Sequence, residues 1–469
     1  MSRVLNRAVA VAALSTGMCL IAGDFMGTAY AQGTGGGNPS GAGSTFLREP
    51  LSNQSVARRS RPEYDALGLR LGSFTLFPSV EAGIGFDSNV FQANDEESDF
   101  FYGIAPRVTL VSNWSRHQVV ATAGARSRFL FEEASENTTD PDISIQGRLD
   151  VGPQNNRPGS SAFRFFAGAR TQHEGRGEPE ALIAAAERIQ FDTYSAGARW
   201  DSQLNRIRYG IGAEVDVLRF EESEVPVGSA ADGQDVNFGG VANDGVLNND
   251  DRNQTIVRVS GEIGYDFSPG YVAFVRGEYN TRSFEEAVDR TGSNRDSDGY
   301  QVVAGARLEL TNVLVGEVFG GYLEQRYDAA NLADVDGVVY GAELEWYPSP
   351  LLTARVTADR QVVDTIVQVP LGGGAFANTS GRFDSNVGVG VDYEAARNII
   401  ISGDAAYRDS NFEGTNREDE VFTGGVSGNF LINRSARAQL GYVYNSRESN
   451  QPNETFSQHQ IGFNVLLQR

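Results

Sequence analysis

The sequence predicts an all-β fold, a transmembrane antiparallel up-and-down β-barrel of about 18 strands with short turns at one end and long loops at the other. Three observations predict it. Apolar and polar side chains alternate with a period of two through segments about a dozen residues long; tight turns and long acidic loops take turns between the segments; and charges sit in mid-strand on one face. Composition agrees, with 54 Gly, 27 Phe and 17 Tyr among 469 residues, and with arginine as the only basic residue besides three histidines.

Residues 1–31 precede that pattern. Arg3 and Arg7, an apolar stretch from Ala8 to Ala22 and the small-residue sequence Ala29-Tyr30-Ala31 read as a secretory signal cleaved after Ala31. The apolar run is short for a membrane span. The one cysteine, Cys19, lies inside it, so the remaining chain has no disulfide and no thiolate chemistry. A formal net charge of −22 excludes nucleic acid as a partner. Residues 32–70 open with a Gly/Ser/Pro-rich tract and carry a basic cluster at Arg58, Arg59 and Arg61. They are expected to form a flexible periplasmic leader; a segment folding back into a pore or touching a periplasmic partner is the second reading.

From residue 71 to 469 one unit recurs: strand, turn, strand, loop. Turns are expected at 113–116 (NWSR), 152–160, 203–206 (QLNR), 267–270 (FSPG), 310–313 (LTNV), 347–350 (YPSP), 394–397 (EAAR) and 432–435 (INRS). Long loops are expected near 88–98, 133–141, 173–189, 222–251, 285–298, 328–336, 365–380, 410–419 and 447–454. Sandwiches have no reason to sort loops by length, whereas outer-membrane barrels place short turns in the periplasm and long loops outside. Strands of ten or so tilted residues also match the hydrocarbon thickness.

The faces follow from charge. In 117–133, Val119, Ala121, Ala123, Ala125, Phe129 and Phe131 share one side, while Thr122, Gly124, Arg126 and Arg128 share the other. In 207–217, Ile207, Tyr209, Ile211, Ala213, Val215 and Val217 oppose Arg208, Gly210, Gly212, Glu214 and Asp216. In 338–346, Val338, Tyr340, Ala342, Leu344 and Trp346 oppose Gly341, Glu343 and Glu345. A mid-membrane charge facing lipid costs about 2–4 kcal/mol, so the charged faces look into a lumen and the apolar faces into lipid.

The segments 69–92 and 99–133, with Pro78, the run Asp87-Ser88-Asn89-Val90-Phe91, Pro106 and the turn Ser112-Asn113-Trp114-Ser115-Arg116, resemble an outer-membrane β-barrel porin family associated with exopolysaccharide export. The resemblance is clearest over residues 65–150. It implies an outer-membrane barrel that passes or accompanies secreted polysaccharide, and it assigns no ligand residues.

Projected onto the strands, inward arginines cluster early as a basic wall: Arg107, Arg126, Arg128, Arg148, Arg164, Arg170 and Arg199. Inward carboxylates cluster later as an acidic wall: Glu214, Asp216, Glu262, Glu309, Glu317, Glu343, Glu345, Asp359, Asp392 and Asp404. Either the walls set up a transverse field, or they are satisfied by pairs across adjacent strands, such as Arg258 with Glu278 or Arg355 with Asp392. No cofactor site and no catalytic site is expected. His117, His173 and His459 show no metal-ligand spacing, and a Ser457/His459 pair lacks an orienting acid. Asp232, Asp235, Asp244, Asp250 and Asp251 crowd one outer loop as calcium candidates, without EF-hand spacing. Residues 178–189 are expected as a short loop helix that decorates or constricts the mouth.

These readings lead to a multi-pass channel in a Gram-negative outer membrane that passes hydrophilic solute, with polysaccharide or oligosaccharide export as the substrate class. The alternative is a structural or surface-interaction barrel with a closed lumen. A plugged active transporter is disfavoured, because a 39-residue leader cannot form the plug. Expected partners are outer-membrane lipid and lipopolysaccharide, the barrel-insertion machinery and a polysaccharide-export complex.

Overall fold

The computed structural model describes residues 55–152, 160–181, 185–225, 245–310, 313–372 and 375–469. The signal reading and the Gly-rich start of the leader lie outside them. Eighteen strands close into one antiparallel barrel. In chain order they are β1 (Phe74–Asp87), β2 (Asp99–Ser112), β3 (Gln118–Leu130), β4 (Thr138–Val151), β5 (Ser161–His173) and β6 (Gln190–Leu204). The middle third is β7 (Ile207–Phe220), β8 (Gln254–Ser268), β9 (Tyr271–Phe284), β10 (Ser297–Leu310), β11 (Leu314–Tyr327) and β12 (Val335–Ser349). The last is β13 (Leu352–Asp364), β14 (Gly381–Ala396), β15 (Ile399–Phe412), β16 (Glu418–Asn433), β17 (Ala436–Ser449) and β18 (Phe456–Gln468). Each pairs with its sequence neighbours, and β18 closes on β1 from Ser79–Gln468 to Asp87–Gln460. A short strand, Leu69–Leu71, pairs with the start of β1.

Turns and loops alternate as the sequence implies, and the strands run 13 to 16 residues. That exceeds what the hydrocarbon layer needs, so the strands rise into the outer loops. Hence the segments expected as loops at 133–141 and 410–419 shrink to 131–137 and 413–417. The expected helix at 178–189 does not form among the described residues, which are turns and irregular chain; ionic contacts to the far wall replace local helical bonds.

Burial is inverted relative to a soluble protein. Ile84, Ile211, Ile263, Val275 and Val302 are exposed on the outside, each by more than half. Tyr209, Tyr265, Trp346 and Tyr393 ring the turn end, and Tyr194, Tyr300, Tyr322 and Tyr407 ring the loop end. Inside, Glu214, Asp216, Glu262, Arg258 and Arg164 are buried. This is the pattern of a barrel solvated by lipid.

The Asp87–Phe91 run seals the closure. Asp87, Asn89 and Val90 are fully buried. The Asp87 carboxylate takes bonds from Arg128 at 2.7 Å, from the Gln458 amide at 2.8 Å and from the Gln460 amide at 2.7 Å. Asn89 donates to the carbonyls of Ala93 and Ser457. One carboxylate thus ties β1, β3 and β18 together at the loop end.

Candidate channel lumen

The inward arginines and carboxylates meet in layers. Arg276 donates to Glu262 and Glu317, both at 2.9 Å, and Arg307 binds the same two carboxylates at 2.7 Å. Arg199 stands 4.0 Å from Glu262 and bonds Asp201 at 2.7 Å. Arg258 bonds Asp216 at 2.5 Å and lies 3.5 Å from Glu214, while the Ser195 hydroxyl donates to Asp216 at 2.5 Å. The period of two puts these groups on the inner face, and the antiparallel register puts acid opposite base: Arg258 faces Glu214, Glu262 faces Arg276 and Arg307 faces Glu317.

The other expected wall residues are placed as follows. Arg107 pairs with Asp142 at 3.0 Å, Arg148 with Asp150 at 2.7 Å, and Arg164 with Asp201. Arg355 lies 3.5 Å from Asp392, which also accepts from Ser402. Asp359 accepts from Asn386, Glu345 binds Arg58, and Asp404 sits on β15. Glu343 is exposed to the lumen, and the Glu309 side chain lies outside the described residues. Arg126 is half-buried on β3, whereas Arg170 has no ion-pair partner among the described residues. The carboxylates that answer the early arginines are Asp87, Asp142, Asp150 and Asp201, which the walls as drawn from the sequence omitted. Asp150 lies two residues along the same strand from Arg148 and was legible from alternation, whereas Asp87, Asp142 and Asp201 reach their arginines from other strands and emerge only once strands are paired.

A strap crosses the loop end. In the link from β5 to β6, described at 174–181 and 185–189, the two ends meet through Glu174 N–H and Ile189 O at 2.8 Å. From there the chain reaches β14 and β15, which stand diametrically opposite in the circle, and β17 nearby. Glu180 pairs with Arg382 of β14 at 2.6 Å, Glu178 lies 3.7 Å from Arg408 of β15, and Gly177 O accepts from Arg447 of β17 at 2.9 Å. Behind it, Arg176 and Arg188 both bind Glu136, and Arg252 binds Glu174 at 2.6 Å. Burial pushes the Glu178 carboxyl above its usual range, only partly offset by Arg408 and Arg382. Burial also raises Glu136, but Arg188 and Arg176 outweigh it and hold that carboxyl below the usual range.

The leader docks on the turn end of the last strands. From Ser55 the chain is docked, not slack. Val56 packs on the inward Ile400 and Leu431, and its N–H donates to Thr353 Oγ1 at 2.9 Å. Arg58 binds Glu345, and Arg59 and Arg61 converge on Glu394. Arg434 reaches Pro62 O.

Among the described residues the remaining candidates do not assemble. Asp251 is bound by Arg290 at 2.7 Å; burial raises its carboxyl and the Arg290 bonds hold it below the usual range. Asp250 accepts from Asn253, and Asp232, Asp235 and Asp244 lie outside the described residues. Ser457 donates to Glu96 and His459 meets the Tyr442 hydroxyl, so no nucleophile–base pair forms between Ser457 and His459. His173 meets Asp140 at 2.7 Å, and His117 accepts from Asp150 N–H.

An apolar-faced closed barrel, an ion-paired interior and chain segments across both mouths define an outer-membrane β-barrel of the porin kind. The chain belongs to the family described as "Putative beta-barrel porin 2", whose profile matches residues 61–469. No curated protein sequence matches it. Among solved structures it is similar to the copper transporter OprC, at 9% identity and a TM-score of 0.46 over 86% of this chain and 81% of that one. It is also similar to OpdK of Pseudomonas aeruginosa, solved with vanillate, at 10% identity and a TM-score of 0.42 over 84% and 99% of the two chains.

Proposed function

We propose that the barrel passes a hydrophilic, anionic solute of the oligosaccharide or polysaccharide class across a Gram-negative outer membrane, reached by way of a cleaved signal at residues 1–31. One observation carries the substrate class: the inner wall is a ladder of guanidinium–carboxylate pairs, in which Arg170 of β5 stands opposite Asp142, an acid already ion-paired with Arg107. Paired charges offer donors and acceptors to sugar hydroxyls without a large net field, and a guanidinium that shares its acid with a second arginine favours a carboxylate or sulfate on the passing chain. Its partners are then lipopolysaccharide around the girdle, the barrel-insertion machinery and an export complex below the leader. Ion current through single channels should be blocked transiently by an anionic oligosaccharide such as an oligogalacturonate, and Arg170→Ala should shorten the blocks. Current that ignores the sugar sinks the reading.

A second reading, a barrel with a closed lumen, draws on the strap and the leader, which cover the two mouths with buried pairs. Its mark is the absence of any stable current.

A further inference from the structure

The ladder between β12 and β13 breaks off. It runs from Ser349–Leu352 to Gly341–Asp359 and stops, yet both strands continue outward, β12 paired to β11 as far as Gln325–Val335 and β13 paired to β14 as far as Asp364–Gly381. By contrast, where β4 and β5 part above Asp142–Arg170, Asp140 and His173 still touch at 2.7 Å, so those edges stay side by side.

At β12–β13 the edges overlap instead, and side-chain phase shows which lies inside. Val356 and Val387 face lipid, so Val362 on β13 and Phe383 on β14, in phase with them, belong to the outer face. Tyr322 and Val338 face lipid, so Leu323, Val335 and Val339 belong to the inner face of β11 and β12. These two sets nevertheless pack into one buried cluster, with Val362 and Phe383 each 2% exposed. The outer surface of the β13–β14 edge is therefore pressed against the inner surface of the β11–β12 edge as a lap joint. Gly337 makes room for it, since a Cβ there would lie 3.1 Å from the Phe383 ring.

Polar contacts pin the tucked edge. Asp364, in outer phase, reaches Arg282 on the inner face of β9 and accepts from the Tyr327 hydroxyl at 2.9 Å. Arg360 lies 4.2 Å over the Phe383 ring and donates to Val338 O across the seam at 3.3 Å.

A seam held by side chains parts without breaking a backbone ladder, and nothing in the hydrocarbon layer could replace that ladder elsewhere in the wall. The buried cluster of the lap is apolar, and on the tucked surface the registered pair Arg360 and Ser385 stands between Val362 and Phe383 and the lipid-facing strip of Val356 and Val387. An acyl chain arriving from the outer leaflet thus meets an apolar path toward the lumen, with the guanidinium of Arg360 at its entrance. We infer that the β12–β13 lap is a lateral portal that admits an amphiphile with an acyl tail and an anionic head group between the outer leaflet and the barrel interior. This goes beyond passage along the barrel axis.

The test is a disulfide across the lap. A Cβ at position 381 lies 3.4 Å from Val335 Cγ2, so the pair Val335→Cys and Gly381→Cys is placed to bridge the two edges. The mature chain supplies no competing thiol. The protein in phosphatidylcholine vesicles is exposed to a photoactivatable lysophosphatidic acid, and the labelled residues are mapped by mass spectrometry. The expected result is labelling at Leu323 and Val339 in the reduced pair, its loss in the oxidised pair, recovery with dithiothreitol, and axial KCl current equal in both states. Phe383→Ala should raise the labelling. The inference is overturned if label appears only on lipid-facing positions such as Val387, if the oxidised and reduced forms label alike, or if the pair refuses to oxidise. The KCl current separates these outcomes from failure of the channel reading.

Discussion

Replacing Arg382 with Met should release the strap. The Arg382 side chain is fully buried and joins Glu180 of the strap at 2.6 Å to Asp384 of its own strand at 3.0 Å. Methionine keeps much of the volume and removes the charge. If the strap stayed docked, Glu180 would be a buried carboxylate without a cation, a situation worth about 3–5 kcal/mol. Asp384 keeps the Ser410 hydroxyl at 2.7 Å whether or not the strap is docked, so the difference between the two states falls mainly on Glu180. Undocking returns Glu180 to water, and the docked-to-free ratio then drops by about a hundredfold or more, at 1.4 kcal/mol per tenfold. The strap carries Arg176 and Arg188, so limiting trypsin reports the free fraction as a nicking rate. That rate should rise by a similar factor in Arg382→Met and fall back toward wild type in Arg382→Met with Glu180→Met, where neither charge is left alone. Equal nicking in wild type and Arg382→Met would refute the claim that this pair holds the strap.

Other outcomes follow from the same contacts. Glu394→Gln removes the carboxylate charge shared by Arg59 and Arg61 and should loosen the leader, seen as faster tryptic cleavage after Arg58 and Arg59; these pairs are partly exposed, so the loss is about 1 kcal/mol. Strap docking should strengthen as pH falls from neutral toward 4.5, the ordinary glutamate value, because a carboxyl raised in the docked state binds its proton more tightly there. Below that value Glu136, lowered in the docked state, takes up protons and the trend should reverse; Glu178→Gln should abolish the first limb only, as read from channel noise against pH. Gly321→Val should block assembly, because a Cβ there would lie 2.0 Å from Val302 O, a backbone atom of the paired strand that cannot yield; the expected sign is loss of the heat-modifiable band on gels. Asp87→Asn should destabilise the barrel at its closure by about 3–5 kcal/mol, since the buried Arg128 of β3 would lose its counter-charge, and the check is a lower thermal midpoint in detergent.

The barrel was legible in the sequence because a period of two leaves no freedom: once Arg126, Glu214 or Glu345 is denied lipid, every neighbour is assigned. Strand count and the sorting of turns from loops came from Gly, Pro and Asn positions that only reversals tolerate. What escaped was whatever depends on distant residues meeting. Arg58, Arg59 and Arg61 could be noticed as a cluster, but Glu345 lies 287 residues from Arg58 and Glu394 lies 335 residues from Arg59. Glu178 and Glu180 looked like the first turn of a helix, because local spacing carries no word of Arg382 and Arg408 across the mouth. The lap at Phe383 reads as ordinary alternation, since phase alone does not say whether an outer face meets lipid or another strand.

The central claim is an aqueous path through the barrel, and single-channel recording of refolded residues 32–469 in a planar bilayer, with and without residues 32–70, tests it most directly. The account predicts stable current, larger once the docked leader is removed. Silence from both forms would contradict it and leave the closed barrel in its place.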